Sequence, residues 1–418
     1  MAARYLFVLS ALACLAGSAM AEEAPDWSAN LTGDWGGKRT AAAKGGLILG
    51  GVLKVDALRN NGAQKSGTRT VSHLDLKLEM DMEKVMGWGG GSAMINVISD
   101  SGDGLNNPNN TYVGNLMGVT NLEVSAPTTT RIFHAWIQQS MLDDRLSVLA
   151  GIYPIDSEFQ TLGSAGLFVK PEYGPTAELA LTRGPSIFNN AAFGIRTKLQ
   201  TSGKAAYAQW ALMDGIPNDP THPKSTAIRF NKGDGAFNIA EVGWLPEAGN
   251  DKFIGHAKAA LGFWAYTAKA NDLVDSTPRS SSGGYILGER TLLRLGGDNA
   301  RTLSAFARYS WTDGNSSAIE NTTSLGINIQ GPFASRPDDT FGLAWSRAGT
   351  SAKWRTSQVI ADPTVTPASD ESAWELTYRY AVTPWLWIQP NLQWTSNPAG
   401  RKDLPASKVI GARLEVAL

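Results

Sequence analysis

The sequence predicts an all-β protein, a transmembrane antiparallel β-barrel preceded by a short helix. Segments of about ten residues alternate polar and apolar side chains, turn-forming clusters separate them, and the chain closes on such a segment. In residues 72–82, for example, Leu74 and Leu76 fall on one face and Asp75 and Lys77 on the other, because successive side chains of a strand point to opposite faces.

The first 21 residues are predicted to be a signal peptide. Arg4 supplies the positive charge, YLFVLSALACLAG is the apolar core, and Ala19 and Ala21 form the small-x-small cleavage pattern. An ordinary buried N-terminal helix is the alternative. The only cysteine, Cys14, lies inside this segment and lacks the leucine that a lipoprotein acceptor carries three residues earlier. The mature chain is therefore expected to contain no cysteine.

Residues 22–46 are predicted to form an N-terminal segment with a short periplasmic helix around Lys38–Lys44. Two glycines, Gly45 and Gly46, would end that helix. From residue 47 the helical period gives way to a period of two. Residues 47–418 are therefore predicted to form one barrel domain, since no charge run or change of composition divides them.

The composition excludes two other classes of protein. Charged residues make up 18% of the 418 residues, below the roughly 25% of soluble domains. The net charge of −1 leaves no basic footprint for nucleic acid. No run of about 20 apolar residues follows the first segment, which excludes a helical membrane protein.

Roughly fifteen alternating segments have the length that a tilted strand needs to cross a bilayer. A soluble β-sandwich also alternates, but the polar face here carries charge at nearly successive positions, as a wet lumen tolerates. The chain ends on the apolar face at Leu418, as it would if the last strand closed the barrel against the first. An interfacial aromatic girdle is predicted from Trp88, Tyr153, Trp210, Tyr309, Trp311, Trp385 and Trp387.

Several motifs resemble the carbohydrate-selective porins of the OprB type. They are LTGDWGGKRTAAAKGG (31–46), HAWIQQSMLDDRLSVLAGIYPIDSEF (134–159), ELTYRYAVTPWLWIQPNLQWTSNPAG (375–400) and the terminal VIGARLEVAL. The last strand departs from the pattern, since outer-membrane strands commonly end in Phe. The resemblance implies a sixteen-stranded barrel, narrowed by inward loops, through which mono- or small oligosaccharides diffuse across the outer membrane of a Gram-negative bacterium. It leaves monomer and homotrimer both open.

Three arginines, Arg196, Arg308 and Arg379, fall on the predicted lumen face. A guanidinium offers five fixed donors to neighbouring sugar hydroxyls. The alternative is that these arginines pair with lumen carboxylates such as Glu375 and Glu415 and keep the wall solvated.

Trp136 and His134 share a strand face with Gln138 and could form a sugar-stacking patch; an interfacial or loop-packing position is the alternative. Glu158 is a further candidate. It lies in the segment from Ile155 to Pro185, whose length suits a loop folded into the lumen, although an ordinary extracellular loop has the same length.

Nothing in the sequence indicates catalysis, a cofactor or a metal site. The four histidines are scattered, and no Gly-x-Ser-x-Gly motif occurs. The predicted partners are small sugars as transported solutes and outer-membrane lipid, without nucleic acid. Three alternatives remain open: a porin for other small solutes such as organic acids, an exported soluble sugar-binding β-protein, and an outer-membrane barrel enzyme such as a lipid hydrolase.

Overall fold

A computed structural model shows a closed antiparallel barrel. Among the described residues, sixteen strands form the barrel wall, which confirms the predicted fold. The predicted signal peptide and Cys14 lie outside the described part of the chain. The structure describes residues 25–106, 111–123, 128–246, 256–296 and 301–418.

The strands and helices alternate with turns along the chain. The helices are α1 (Lys38–Lys44), α2 (Met82–Met86), α3 (Ala177–Ala180) and α4 (Ala352–Ala361). The strands are β1 (Leu47–Asn61), β2 (Gly67–Asp81), β3 (Gly91–Gly102), β4 (Thr129–Met141), β5 (Leu146–Tyr153), β6 (Ala192–Gln200), β7 (Ala206–Asp214), β8 (Ala236–Trp244), β9 (Ala257–Tyr266), β10 (Ala270–Asn271), β11 (Pro278–Arg279), β12 (Ser282–Arg294), β13 (Thr302–Thr312), β14 (Ile319–Gln330), β15 (Thr340–Thr350), β16 (Asp370–Thr383), β17 (Leu386–Ser396) and β18 (Ser407–Ala417).

Each wall strand pairs with its neighbours in the chain, while β10 and β11 form a separate hairpin between β9 and β12. The barrel closes where β1 pairs with β18, from Val52 opposite Ala417 to Asn61 opposite Lys408. This pairing confirms that the last strand forms a seam with the first. In the described ranges, no helix has the length and apolar character needed to cross a membrane.

The wall turns its apolar side chains outward and its charged side chains inward. On β16, Trp374 is 53% exposed whereas Glu375 is fully buried. On β2, Leu76 is exposed and Asp75 is buried. A soluble sandwich has the reverse arrangement, so the outer surface of this barrel is built to contact lipid.

Two aromatic residues of the predicted girdle face the lumen instead. Trp210 and Tyr309 are 43% and 45% exposed on the outer surface, as an interfacial position requires. Tyr153 is 1% exposed and Trp387 is 5% exposed. Tyr153 packs in the core formed with the loop that follows it, and the ring of Trp387 lies under Arg379, so the girdle prediction was wrong for both.

The two ends of the barrel differ in their connections. At one end lie longer connections, among them residues 103–128, 154–191, 215–235 and 351–369. At the other end the turns at 142–145 and 384–385 are short, and the N-terminal segment contacts Leu418. Outer-membrane barrels have short periplasmic turns and longer extracellular loops, which assigns the long-loop end to the cell exterior.

Candidate functional site

The inward loop, residues 154–191, fills part of the barrel interior. Phe159, Phe168 and Leu179 on this loop are almost completely buried. They share a hydrophobic core with lumen-facing residues of the wall such as Phe237 and Phe306. The structure thus confirms that the segment after β5 folds into the lumen.

Carboxylates of the wall hold the inward loop through its backbone. Glu289 accepts hydrogen bonds from the N–H groups of Gly163 and Ser164, at 3.0 and 2.7 Å. Glu375 accepts them from Val169 and Lys170, at 2.6 and 3.0 Å. Each carboxylate therefore satisfies two consecutive loop donors that the fold would otherwise leave without partners.

The connection between β3 and β4 reaches the same interior, and its described parts (residues 103–106 and 111–123) are called the companion loop. The carboxylate of Glu371 accepts hydrogen bonds from the N–H groups of Leu116 and Met117, each at 2.9 Å. The Lys170 ammonium donates to the carbonyl of Gly118 at 2.6 Å. This bond joins the two loops, so the interior is narrowed by a connected pair.

Arg196 and Glu158 form a buried ion pair. The Arg196 Nε and Nη2 atoms each lie 2.8 Å from a different oxygen of Glu158. Arg196 also donates to Gln138 at 2.7 Å and to the Ser147 hydroxyl at 2.6 Å and is fully buried. Glu158 borders the central cavity, but Arg196 does not, so Arg196 fixes the start of the inward loop from behind the cavity wall.

Arg308 holds the middle of the inward loop. Its guanidinium donates to the backbone carbonyls of Gln160 at 3.2 Å, Gly174 at 2.5 Å and Glu172. The side chain is 3% exposed. The inward loop covers the guanidinium, and its hydrogen-bond partners within the described ranges are these loop carbonyls.

Trp136 and His134 lie on the inner face, as predicted, but the inward loop and its neighbours cover them. Trp136 is 8% exposed and belongs to the core formed with the loop; His134 is 2% exposed and packs edge-to-face against Phe133. Neither borders the cavity. These two residues therefore occupy the loop-packing position in this structure.

A cavity of 1670 Å³ runs beside the two loops. At the extracellular end it is bordered by Asn106, Leu116 and Phe188, and at the periplasmic end by Ser28 and Pro384. Its lining thus extends from one end of the barrel to the other. Of the six predicted site residues, Glu158 and Arg379 border it.

Arg379 is the center of one charged cluster on this cavity. Its guanidinium carbon lies 4.1 Å from the ring centroid of Trp387, and its Nη2 donates to Glu415 at 2.9 Å. Lys54 lies 3.9 Å from the same carboxylate. Arg379, Trp387 and Lys54 all border the cavity, so stacking and ion pairing orient the guanidinium toward the channel.

A second cationic cluster was not predicted from the sequence. The Lys198 and Lys258 ammonium groups lie 5.1 and 6.0 Å from the ring centroid of Tyr207. All three residues border the cavity. Tyr207 on β7 and Trp387 on β17 are eight strands apart around the sixteen-stranded ring, and each is the second residue of its strand from the periplasmic side. The two clusters therefore face each other across the periplasmic half of the lumen.

Glu123 and Asp156 are acidic residues that border the extracellular part of the cavity. Burial raises the pKa of Glu123 to about 7 and the pKa of Asp156 to about 6. Both groups are then neutral at pH 5 and ionised at pH 8, since a carboxyl group is charged above its pKa.

The permeability of the channel for cations relative to anions is therefore expected to rise between pH 5 and pH 8. Reversal potentials in a KCl gradient measure this ratio. The double substitution Asp156→Asn and Glu123→Gln should abolish the rise. A pH dependence that persists in the double variant would assign it to other groups.

A closed barrel with a lipid-facing exterior and a cavity, lined by charged and aromatic side chains, that extends between its ends defines a passive outer-membrane channel. Its permeation needs no reacting group, because the solute gradient drives it.

Comparisons with known proteins identify the family. Residues 65–418 match the carbohydrate-selective porin family, OprB, and the chain belongs to that family. Porin B of Pseudomonas aeruginosa is 26% identical over 457 residues, covering 99% of this chain and 97% of that protein. A high-pH structure of OprB from Pseudomonas putida is 22% identical, covers 96% of this chain and 100% of its own, and has a TM-score of 0.84.

A more distant structure shares the architecture. The anion-selective porin from Comamonas acidovorans is 13% identical, covers 89% of this chain and 99% of its own, and has a TM-score of 0.52.

By its family, the chain is a carbohydrate-selective outer-membrane porin of Gram-negative type, and it acts as a channel and not as an enzyme. The predicted family, function and location are confirmed.

Proposed function

We propose that mono- and small oligosaccharides cross this porin beside the inward loop and are contacted between the Arg379–Trp387 and Lys198–Tyr207 clusters. The observation that carries the proposal is the placement of two oriented cationic clusters on opposite sides of a continuous cavity. Guanidinium and ammonium groups donate hydrogen bonds to hydroxyls as water is removed from the sugar. Glu158 contributes an acceptor on the same path.

The proposed contacts are weak because the cationic groups already have hydrogen-bond acceptors within the protein. Glu415 already accepts from Arg379, and Lys258 donates to the carbonyl and the hydroxyl of Thr161 at 2.8 Å each. A sugar that competes for donors already engaged gains little net free energy. Low affinity is what a diffusion channel requires, because a tightly held solute does not leave.

Replacing Arg379 with alanine is expected to weaken block of the channel by glucose about tenfold, because one charged hydrogen-bond donor is lost. Planar-bilayer conductance with glucose, a disaccharide and a dicarboxylate titrated in turn measures the effect. Lys198→Ala should act similarly. Lys232→Ala is the matched control, since Lys232 is exposed in the extracellular β7–β8 connection and does not border the cavity.

Sugar block that is unchanged in Arg379→Ala and Lys198→Ala would contradict the proposed contacts. If the wild-type channel were blocked by the dicarboxylate and not by sugars, the preferred solutes of this chain would be organic acids.

We further propose that residues 1–21 are cleaved on export, leaving residues 22–46 as a periplasmic segment and residues 47–418 as the barrel. Mass measurement of the protein purified from outer membranes tests the cleavage point. The same measurement under native conditions distinguishes the monomer from the homotrimer.

A further inference from the structure

The lipid-facing surface at the barrel seam carries a row of large side chains near the extracellular end. Neighbouring strands place these residues directly opposite one another in register. Their side chains point outward and cover five adjacent strands. From β15 across to β1, the row consists of Trp345, Trp374, Trp394, Lys408 and Asn61.

A second row lies two residues closer to the membrane center on the same strands. It is also in register across all five strands, and its aliphatic members face lipid. From β15 to β1 it consists of Leu343, Leu376, Leu392, Ile410 and Arg59. We name these ten residues the seam patch. A groove of 420 Å³ on the outer surface lies between the two rows.

The last two strands of the seam patch, β18 and β1, each carry one cation. Lys408 is exposed, and its ammonium lies 4.9 Å from the ring centroid of Trp394. Arg59 is exposed one row deeper, and among the described residues it has no hydrogen bond or ion pair. A basic side chain on the lipid face costs about 2–4 kcal/mol at the bilayer midplane and little at the interface, so an anion at this depth would stabilise both.

A comparable outward row on strands β7, β8, β9, β12 and β13 has no cation. It runs in register from Trp210 through Ala240, Phe263 and Gly284 to Trp311. A row of lipid-facing aromatic residues at this height is therefore not always accompanied by basic residues. The pair of cations distinguishes the seam patch from the ordinary interfacial girdle.

We propose that the seam patch binds a phosphorylated glycolipid of the outer leaflet, of the lipid A class. Arg59 and Lys408 bind a headgroup phosphate, which the guanidinium can contact through two parallel hydrogen bonds. The acyl chains lie over the deeper row of Leu and Ile side chains. The tryptophans sit at the boundary between headgroup and chains, where amphipathic rings are stable. The depth of the cations supports this ligand, since Lys408 is the second residue of β18 after an extracellular connection.

The test is a titration of detergent-purified full-length protein with lipid A, followed by native mass spectrometry. The double variant Arg59→Ala and Lys408→Ala is expected to bind lipid A about tenfold more weakly than the wild type. Lys402→Ala, which removes an exposed lysine of the connection before β18, should bind as the wild type does.

Several outcomes separate the proposed ligand from others. If the phosphate is what the two cations bind, removing it should weaken binding to the wild type about as much as the double substitution does. Dephosphorylated lipid A is therefore expected to bind the wild type as weakly as intact lipid A binds the double variant. Equal binding of phosphatidylglycerol would overturn the glycolipid assignment, and displacement of lipid A by inorganic phosphate would reduce the patch to a phosphate site.

Lipid A binding that is unchanged in the double variant would overturn the proposal altogether. Single-channel conductance of the same preparations serves as the folding check, because neither cation borders the cavity. The single variant Lys408→Gln provides a milder change if the double variant does not assemble.

Discussion

Arg308→Ala is expected to open the channel. The arginine donates to three backbone carbonyls of the inward loop, and loss of each charged hydrogen bond removes ~1.5–3 kcal/mol of anchoring. The loop then moves away from the wall, and single-channel conductance should rise about twofold or more, since the constriction sets the current. Discrimination between sugar and salt should fall at the same time.

Two variants control this result. Arg308→Lys keeps the charge but cannot reach three carbonyls from one ammonium position, so an intermediate conductance is expected. Arg347→Ala removes another wall arginine, whose hydrogen bonds in the described part of the chain go to Asp370 and Asn321 and not to the inward loop. Wild-type conductance in a folded Arg308→Ala channel would show that other contacts suffice to hold the loop.

The sequence was sufficient to predict the wall, because a strand has a strict period of two. Each outward apolar residue of β16, such as Trp374, identifies its inward neighbour Glu375 without any tertiary information. The same parity places Arg196 and Arg308 on the inner face. The fold class and the closing strand follow from this local pattern.

The interior could not be predicted in the same way, because its contacts join residues far apart in the chain. Parity shows that Arg308 points inward but not that the carbonyl of Glu172 will meet it there. The roles of Glu289 and Glu371 as acceptors for loop N–H groups are equally long-range. The wrong assignment of Trp387 to the girdle has the same cause, because a position near a strand end is compatible with both a girdle and a lumen cluster.

On β4, a local irregularity also limits how well the alternation of residues predicts the face of each side chain. The pairing with β3 shifts between Asn96 and Val97, so that the adjacent residues Phe133 and His134 are both buried. Side chains before the shift change face relative to a regular strand. Trp136 and Gln138 lie after it, and their predicted inner face was correct.

The N-terminal motif 31–46 gains a physical explanation at the seam. Arg39 is 2% exposed and stacks on Trp27 and Trp35, with its guanidinium carbon 3.9 and 5.0 Å from the two ring centroids. It donates to the carbonyl of Leu49 at 2.6 Å and to the backbone oxygen of Leu418 at 3.3 Å. One side chain thus contacts both strands that close the barrel.

Arg39→Ala is therefore expected to weaken closure of the barrel, at a cost on the order of 2–4 kcal/mol, because backbone acceptors on both closing strands lose a charged donor. The measurement is the temperature at which the folded band on an SDS gel converts to the unfolded band. Arg39→Lys loses the planar guanidinium and much of its stacking on the tryptophans. Its conversion temperature should therefore lie between those of the wild type and Arg39→Ala.

The neighbouring residue Lys38 offers a matched control, since it lies on the same helix α1 and is exposed. Lys38→Ala should convert at the wild-type temperature. If Arg39→Ala and Lys38→Ala convert at the same temperature, the pairing of β1 with β18 is enough to hold the seam without Arg39. A lower temperature in Arg39→Ala only would make the N-terminal segment part of the barrel closure, which explains why its Arg-Trp contacts are built around the last residues of the chain.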